Sequence, residues 1–200
     1  MMKFILGTKQ NMTQLFDEKG NVHPVTVLKT SPMVVTQVKT TDKDGYEAVQ
    51  IGFGSKSPRR INKPQKGQMK DLGNFQYLRE ISGLKDSSIG DDVTPELTPG
   101  EKVEVSAISK SKGFQGVVKR HGFHGGPRSH GQKHSEREPG SIGAGGYQRV
   151  FKGTRMAGRM GGDRITVKNL TVISYNKETG ELFIRGAVPG RRGTLVEVRA

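Results

Sequence analysis

Apolar residues along this chain recur mostly at every second position, in short runs separated by turn residues. In Lys102–Ile108, Val103, Val105 and Ala107 alternate with Lys102, Glu104 and Ser106, the pattern of a strand with one buried face. The same reading predicts strands over Val22–Lys29, behind the turn Asp17-Glu18-Lys19-Gly20-Asn21, and over Met33–Lys39, behind Ser31-Pro32. Tyr46–Phe53 follows Thr41-Asp42-Lys43-Asp44-Gly45 and puts Val49, Ile51 and Phe53 on one face. Ile165–Tyr175, Glu181–Val188 and Thr194–Arg199 complete the set, the last two entered through turns over 176–180 and 189–193. Seven short strands with hairpin-length turns and no strong helical period predict a mainly β core. It would be a closed antiparallel barrel or a sandwich, made by residues 1–109 and 165–200.

Two stretches break the alternation. Over residues 55–89, Lys56, Arg59, Arg60, Lys63, Lys66 and Lys70 crowd beside Pro58 and Pro64, which reads as a basic excursion from the core. Asn62 would cap a short helix from Lys63 to Leu72 that Gly67 weakens, and Phe75, Tyr77, Leu78 and Ile81 would tether the excursion. Residues 110–164 are rich in glycine and histidine and poor in apolar side chains. Such a segment buries too little apolar surface to offset its own chain entropy, so it needs an outside partner to hold one shape. Strands on either side bring its ends together and make it one long projecting loop. An insertion of this length without structure of its own is either functional or disordered.

Charge names the kind of partner. The chain has 33 Lys and Arg against 19 Asp and Glu, a net +14, and residues 110–164 hold twelve bases against three acids. A polyanion is the expected ligand. Nucleic acid fits better than an anionic membrane surface, because the glycines oppose the long basic amphipathic helix a membrane would call for. With no cysteine there is no disulfide framework and no thiolate nucleophile. The opening MMKFILGTKQNM has no apolar run of signal-peptide length and no later run would span a bilayer, so a cytoplasmic protein is expected.

Candidate chemistry narrows this further. His121, His124, His130 and His134 sit among glycines that leave metal-ligand spacing undefined, so they read better as groups that stack on bases or donate to phosphate; no metal and no cofactor is expected. The glycine loop over 140–146 lacks the preceding strand and following helix of a nucleotide-phosphate cradle, and reads as backbone able to approach RNA closely. Phe114, Phe123, Tyr147 and Phe151 are interleaved with cations, which suits stacking on unpaired bases. For Phe114 and Phe151, local packing at the root of the loop is an equal reading. Asp91 and Asp92 are adjacent and would point apart in an extended chain, and no nucleophile motif or paired carboxylate is present. A barrel enzyme with a basic lid over an anionic small substrate would need such a set, so neither catalysis nor a small-molecule substrate is expected. The RNA-binding candidates are Arg59, Arg60, Lys63 and Lys66 in the first stretch. In the second they are Lys110, Lys112, Phe114, Lys119, Arg120, His121, Arg128, His130, Lys133, Tyr147, Arg149, Lys152, Arg155, Arg159 and Arg164.

In order along the chain, several motifs resemble the universal L-three family of bacterial large-subunit ribosomal proteins. They include Leu6-Gly7-Thr8-Lys9, Met12-Thr13-Gln14-Leu15-Phe16-Asp17, Asp44-Gly45-Tyr46, Asn62-Lys63-Pro64 and Tyr77-Leu78-Arg79-Glu80. The most specific run is Ser111-Lys112-Gly113-Phe114-Gln115-Gly116-Val117-Val118-Lys119-Arg120-His121-Gly122-Phe123. It is followed by Ser129-His130-Gly131, Pro139-Gly140-Ser141-Ile142-Gly143, Val150-Phe151-Lys152-Gly153 and Met156-Ala157-Gly158-Arg159-Met160-Gly161, with Gly186-Ala187-Val188-Pro189-Gly190 closing the match. The resemblance implies a β-barrel on the outer side of the large subunit and an extension through 23S rRNA toward the peptidyl transferase centre. It also implies a structural role early in subunit assembly, beside neighbouring large-subunit proteins. Two departures stand out. The family's usual glycine before Met-Thr is Asn11, a residue that tolerates positive φ next best, and the tip over 144–149 is shorter than the Thr-Pro-Gly-containing run of bacterial relatives. Some relatives carry a methylated glutamine in that tip; Gln148 has no clear equivalent there, and the modification is not carried over to it.

Overall fold

The computed structural model describes residues 3–69, 72–83, 87–94 and 96–200. The chain forms two compact units, Met1–Ile108 with Arg164–Ala200, and Ser109–Asp163. The first unit holds β1 (Phe4–Phe16), β2 (Val22–Thr30), β3 (Met33–Lys39), α1 (Thr41–Asp44), β4 (Ala48–Ser55), α2 (Lys63–Gln68), β5 (Phe75–Ile81), β6 (Asp92–Val93) and β7 (Lys102–Ile108). The second holds β8 (Phe114–Gln115), α3 (Val117–His121) and β9 (Gly158–Arg159); β10 (Arg164–Asn176), β11 (Glu181–Arg185) and β12 (Leu195–Arg199) return to the first.

Six strands of the first unit close on themselves in the order β1-β12-β7-β10-β11-β2, every neighbour antiparallel. A second sheet runs β5-β4-β3-β6. The strand period of two explains how β1 serves both. Ile5 points into the ring with Leu28, Val103, Val105, Val172, Leu182, Ile184, Val196 and Val198, while Phe4 and Leu6 point outward and join Leu195, Met33, Val35, Val49, Ile51, Phe53 and Ile81 in a second cluster. Each of these side chains, fully buried, is worth roughly 1.5–3 kcal/mol of transfer free energy, so the two clusters dominate the unit's stability.

One carboxylate is buried where the two sheets meet. Glu197 on β12 accepts from Arg79 Nε of β5 at 2.8 Å and from Arg164 Nη2 of β10. Ser106, which by alternation belongs with the solvent-facing set of β7, is buried and shares a 2.7 Å hydrogen bond with Thr166. At the first hairpin turn Asp17 accepts from the backbone N–H of Lys19 (2.9 Å) and Asn21 (2.7 Å) and from Asn21 Nδ2 (2.9 Å). The Asn21 side chain, then the backbone bonds, hold its carboxyl below the usual aspartate range.

Several expectations change. The alternation rule misses β1, the longest early strand, because Phe4-Ile5-Leu6 is apolar on both faces and the polar half beyond it has no buried side at all. β5, expected only to tether the excursion, forms the edge of the second sheet, and its side chains are mostly half-buried without a clear alternation. The helix after Asn62 spans Lys63–Gln68 and not to Leu72, with Gly67 in its last turn and no side-chain cap from Asn62; residues 70 and 71 of that expected helix lie outside the described residues. Asn11 does not take positive φ, which among described non-glycine residues belongs to His130 and Asn169; the irregularity of β1 between Lys9 and Met12 is a bulge.

Candidate nucleic-acid interface

Ser109–Asp163 is held by backbone hydrogen bonds more than by apolar contact. At its root the Ser109 N–H donates to Asp163 O (2.9 Å), the Gly162 N–H to Ser109 Oγ (3.2 Å), the Lys112 N–H to Met160 O (2.9 Å) and the Met160 N–H to Gly113 O (2.9 Å). The β8/β9 pairing continues this ladder, with Phe114 opposite Arg159 and Gln115 opposite Gly158. Gly161 sits at φ +73, and a Cβ there would lie 2.2 Å from the Lys110 carbonyl oxygen, so only glycine lets the two arms of the root approach.

Beyond the root, Val117 tucks the short helix α3 inward at 2% exposure, and Gly122 ends it by donating to Val118 O. Two of the expected RNA ligands are used here. Arg120 Nη1 donates to Met156 O at 2.7 Å, His121 Nε2 lies 3.1 Å from the same oxygen, and the His121 ring packs on Phe123 at 6.0 Å. Farther out, Gly126 N–H donates to Glu136 O and Arg128 Nε donates to the Glu136 carboxylate at 2.7 Å, which raises the Arg128 pKa. His130 adopts a left-handed φ of +61. In the structure glycine-permitted backbone bonding organises this stretch, although Val117 is its one buried apolar residue among those described.

What remains on the surface is cationic and aromatic. Lys110, Lys112, Lys119, Lys133, Arg149, Lys152, Arg155 and Arg159 are exposed and make no ion pair among the described residues. Phe114 is 76% exposed, so its root position gives it no packing role. Tyr147 is 64% exposed and meets the edge of Phe151 at 5.0 Å, with the Arg149 guanidinium 5.9 Å over the same ring. The two rings and the cation form a preassembled stack open to solvent. Arg137 is also exposed; sequence reasoning passed over it between Glu136 and Glu138, yet Arg128 engages Glu136 and leaves Arg137 available. In the first unit, Arg59, Arg60, Lys63 and Lys66 are exposed on Pro58–Arg60 and α2, as expected, whereas Arg164 is tied to Glu197.

The family profile for Ribosomal protein L3 matches residues 86–182. Over 204 residues the chain is 52% identical to large ribosomal subunit protein uL3 of Acidothermus cellulolyticus, covering 99% of this chain and 92% of that one. It is 50% identical to the uL3 protein of Herpetosiphon aurantiacus (99% and 96%) and 46% identical to that of Carboxydothermus hydrogenoformans (100% and 97%). The chain belongs to the uL3 family of large-subunit ribosomal proteins. These relatives are ribosomal proteins and not enzymes.

Proposed function

We propose that the chain is a structural constituent of the cytoplasmic large ribosomal subunit that binds 23S rRNA directly and supports early assembly. In this reading the six-strand ring is a barrel that docks on rRNA, with neighbouring large-subunit proteins beside it. Residues 110–164 thread between rRNA helices as an extended loop, its tip toward the peptidyl transferase centre. The observation that carries the proposal is the division of labour within Ser109–Asp163: Arg120, His121 and Arg128 fasten the unit's own turns, while nine other cations and the Tyr147–Phe151 pair stay free to meet phosphates and unpaired bases. Binding of this kind releases counterions, at a log–log salt slope of roughly 0.7–0.9 per phosphate contacted.

The test is a salt titration of binding to 23S rRNA and of incorporation into large subunits. Lys119→Glu with Lys152→Glu should flatten the salt slope by about 1.5 and delay incorporation. Arg191→Glu with Arg192→Glu, in an exposed turn of the first unit, should change both far less. Equal effects from the two pairs would overturn the assignment of RNA contact to this unit.

A further inference from the structure

Beyond Lys9, β1 leaves the ring. Its pairing with β12 ends at Thr8 and Leu195, the Lys9 N–H makes one more bond to Thr194 O, and from Met12 to Phe16 its only strand partner among the described residues is β2. On the other side, β2 pairs with β11 only from Val25 onward. The end of this hairpin is thus a two-stranded arm, an arrangement marginal in water unless something covers it.

Its apolar side chains are uncovered. Phe16 and Val22 are direct cross-strand partners, 66% and 50% exposed, and Met12, 50% exposed, lies on the same face of β1 two alternations away. The far end is a firm turn, closed by the three hydrogen bonds to Asp17. Gln14 and Pro24 lie between Met12 and the Phe16–Val22 pair on this face, so the arm carries an exposed apolar pair at a firm turn and a third apolar side chain farther back, the form of a docking surface and not of a loose loop.

The charge of the arm selects the occupant. From Asn11 to Pro24 it has Asp17 and Glu18 against Lys19, with His23 Nε2 3.4 Å from the Asp17 carboxylate, so with histidine counted neutral its formal charge is −1 in a chain of net +14. Bonding to Asn21 holds the Asp17 carboxyl below the usual aspartate range, and Glu18 is exposed beside it. Phosphate would be repelled, and an apolar stripe has nothing to offer an RNA backbone. We infer that the arm Asn11–Pro24 is a protein-docking surface, whose occupant is a basic large-subunit protein presenting apolar side chains to Met12, Phe16 and Val22 and cations to Asp17 and Glu18. The inference rests on the proposed ribosomal role and assigns to protein one part of a chain that otherwise suits RNA.

The experiment replaces Phe16 by the photo-crosslinker p-benzoylphenylalanine, purifies large subunits that contain the chain, irradiates them and separates protein from RNA adducts by nuclease and protease digestion. The expected product is an adduct to one basic protein, resistant to ribonuclease, whose yield falls about threefold when Glu18→Lys removes a rim charge. A companion variant, Phe16→Ser with Val22→Ser, alters exposed positions only; it should keep the chain in the particle and deplete the same basic protein several-fold by quantitative mass spectrometry. Adducts to rRNA, adducts to a second copy of this chain, or no adduct from assembled particles would each overturn the inference. Absence of the chain from large subunits would instead strike the ribosomal reading beneath it.

Discussion

Gly161→Ala separates the two physical claims made for the root of Ser109–Asp163, close approach and positive φ. At φ +73 an alanine carries the left-handed penalty of roughly 1–2 kcal/mol. Its Cβ would also stand 2.2 Å from the Lys110 carbonyl oxygen, a backbone atom that cannot rotate away. The arms must part, weakening the bonds between Lys112 and Met160 and between Met160 and Gly113, at about 1 kcal/mol or more for each. Together these come to roughly 3–4 kcal/mol of local stability, or amide exchange at Lys112 and Met160 about 150-fold to 800-fold faster. Gly113→Ala is the control: φ is +69 there, but nothing lies within 4 Å of the added Cβ, so only the conformational penalty applies and exchange should rise about 5- to 30-fold. Amides of the ring, such as those of Val105 and Val172, should exchange at the parent rate in both variants, since the two units are separately compact. Equal acceleration by the two substitutions would refute the clash argument, and faster exchange in the ring would refute the independence of the units.

Glu197→Ala removes the buried carboxylate shared by Arg79 and Arg164. Because those guanidinium groups are 41% and 54% exposed they rehydrate, which limits the loss to about 1–2 kcal/mol, seen as a melting temperature lower by several degrees; an unchanged melting temperature would show the triad to be idle. Acid should destabilise the first unit through Glu80 and Glu101. The carboxyl of Glu80 is lowered by its bonds from Lys39 and Tyr46, and that of Glu101 by Lys3 and then by the Thr98 N–H. A depressed carboxyl contributes stability above the ordinary glutamate value of 4.5 and loses it as pH falls through the lower folded value. Thermal melts below pH 4.5 should therefore fall less steeply for Glu80→Gln than for the parent, and parallel curves would refute the linkage.

Legibility followed burial geometry. Lys102–Ile108 was readable because Val103, Val105 and Ala107 are buried while Lys102, Glu104 and Ile108 are exposed, so all but Ser106 alternate in the sequence as they do in space. β1 was not, because Phe4 and Leu6 serve one core and Ile5 the other, and a strand buried on both faces loses its period. At the candidate interface, the density of charge and aromatic residues over 110–164 was plain, but which cations remain available was not. Arg120 and Arg155 look alike in sequence; the fold brings Met156 O within 2.7 Å of the first and leaves the second in solvent.

The sequence by itself determined the β character and the position and net charge of the basic insertion, because periodicity, glycine content and net charge are local sums that need no knowledge of what lies across space. Ring closure through the β1–β12 and β2–β11 pairings and the burial of Glu197 between two arginines were decided only by tertiary structure. Each depends on residues distant in the chain, Arg79, Arg164 and Glu197 among them, and side-chain chemistry alone does not say which of the many possible partners the folded backbone brings within reach.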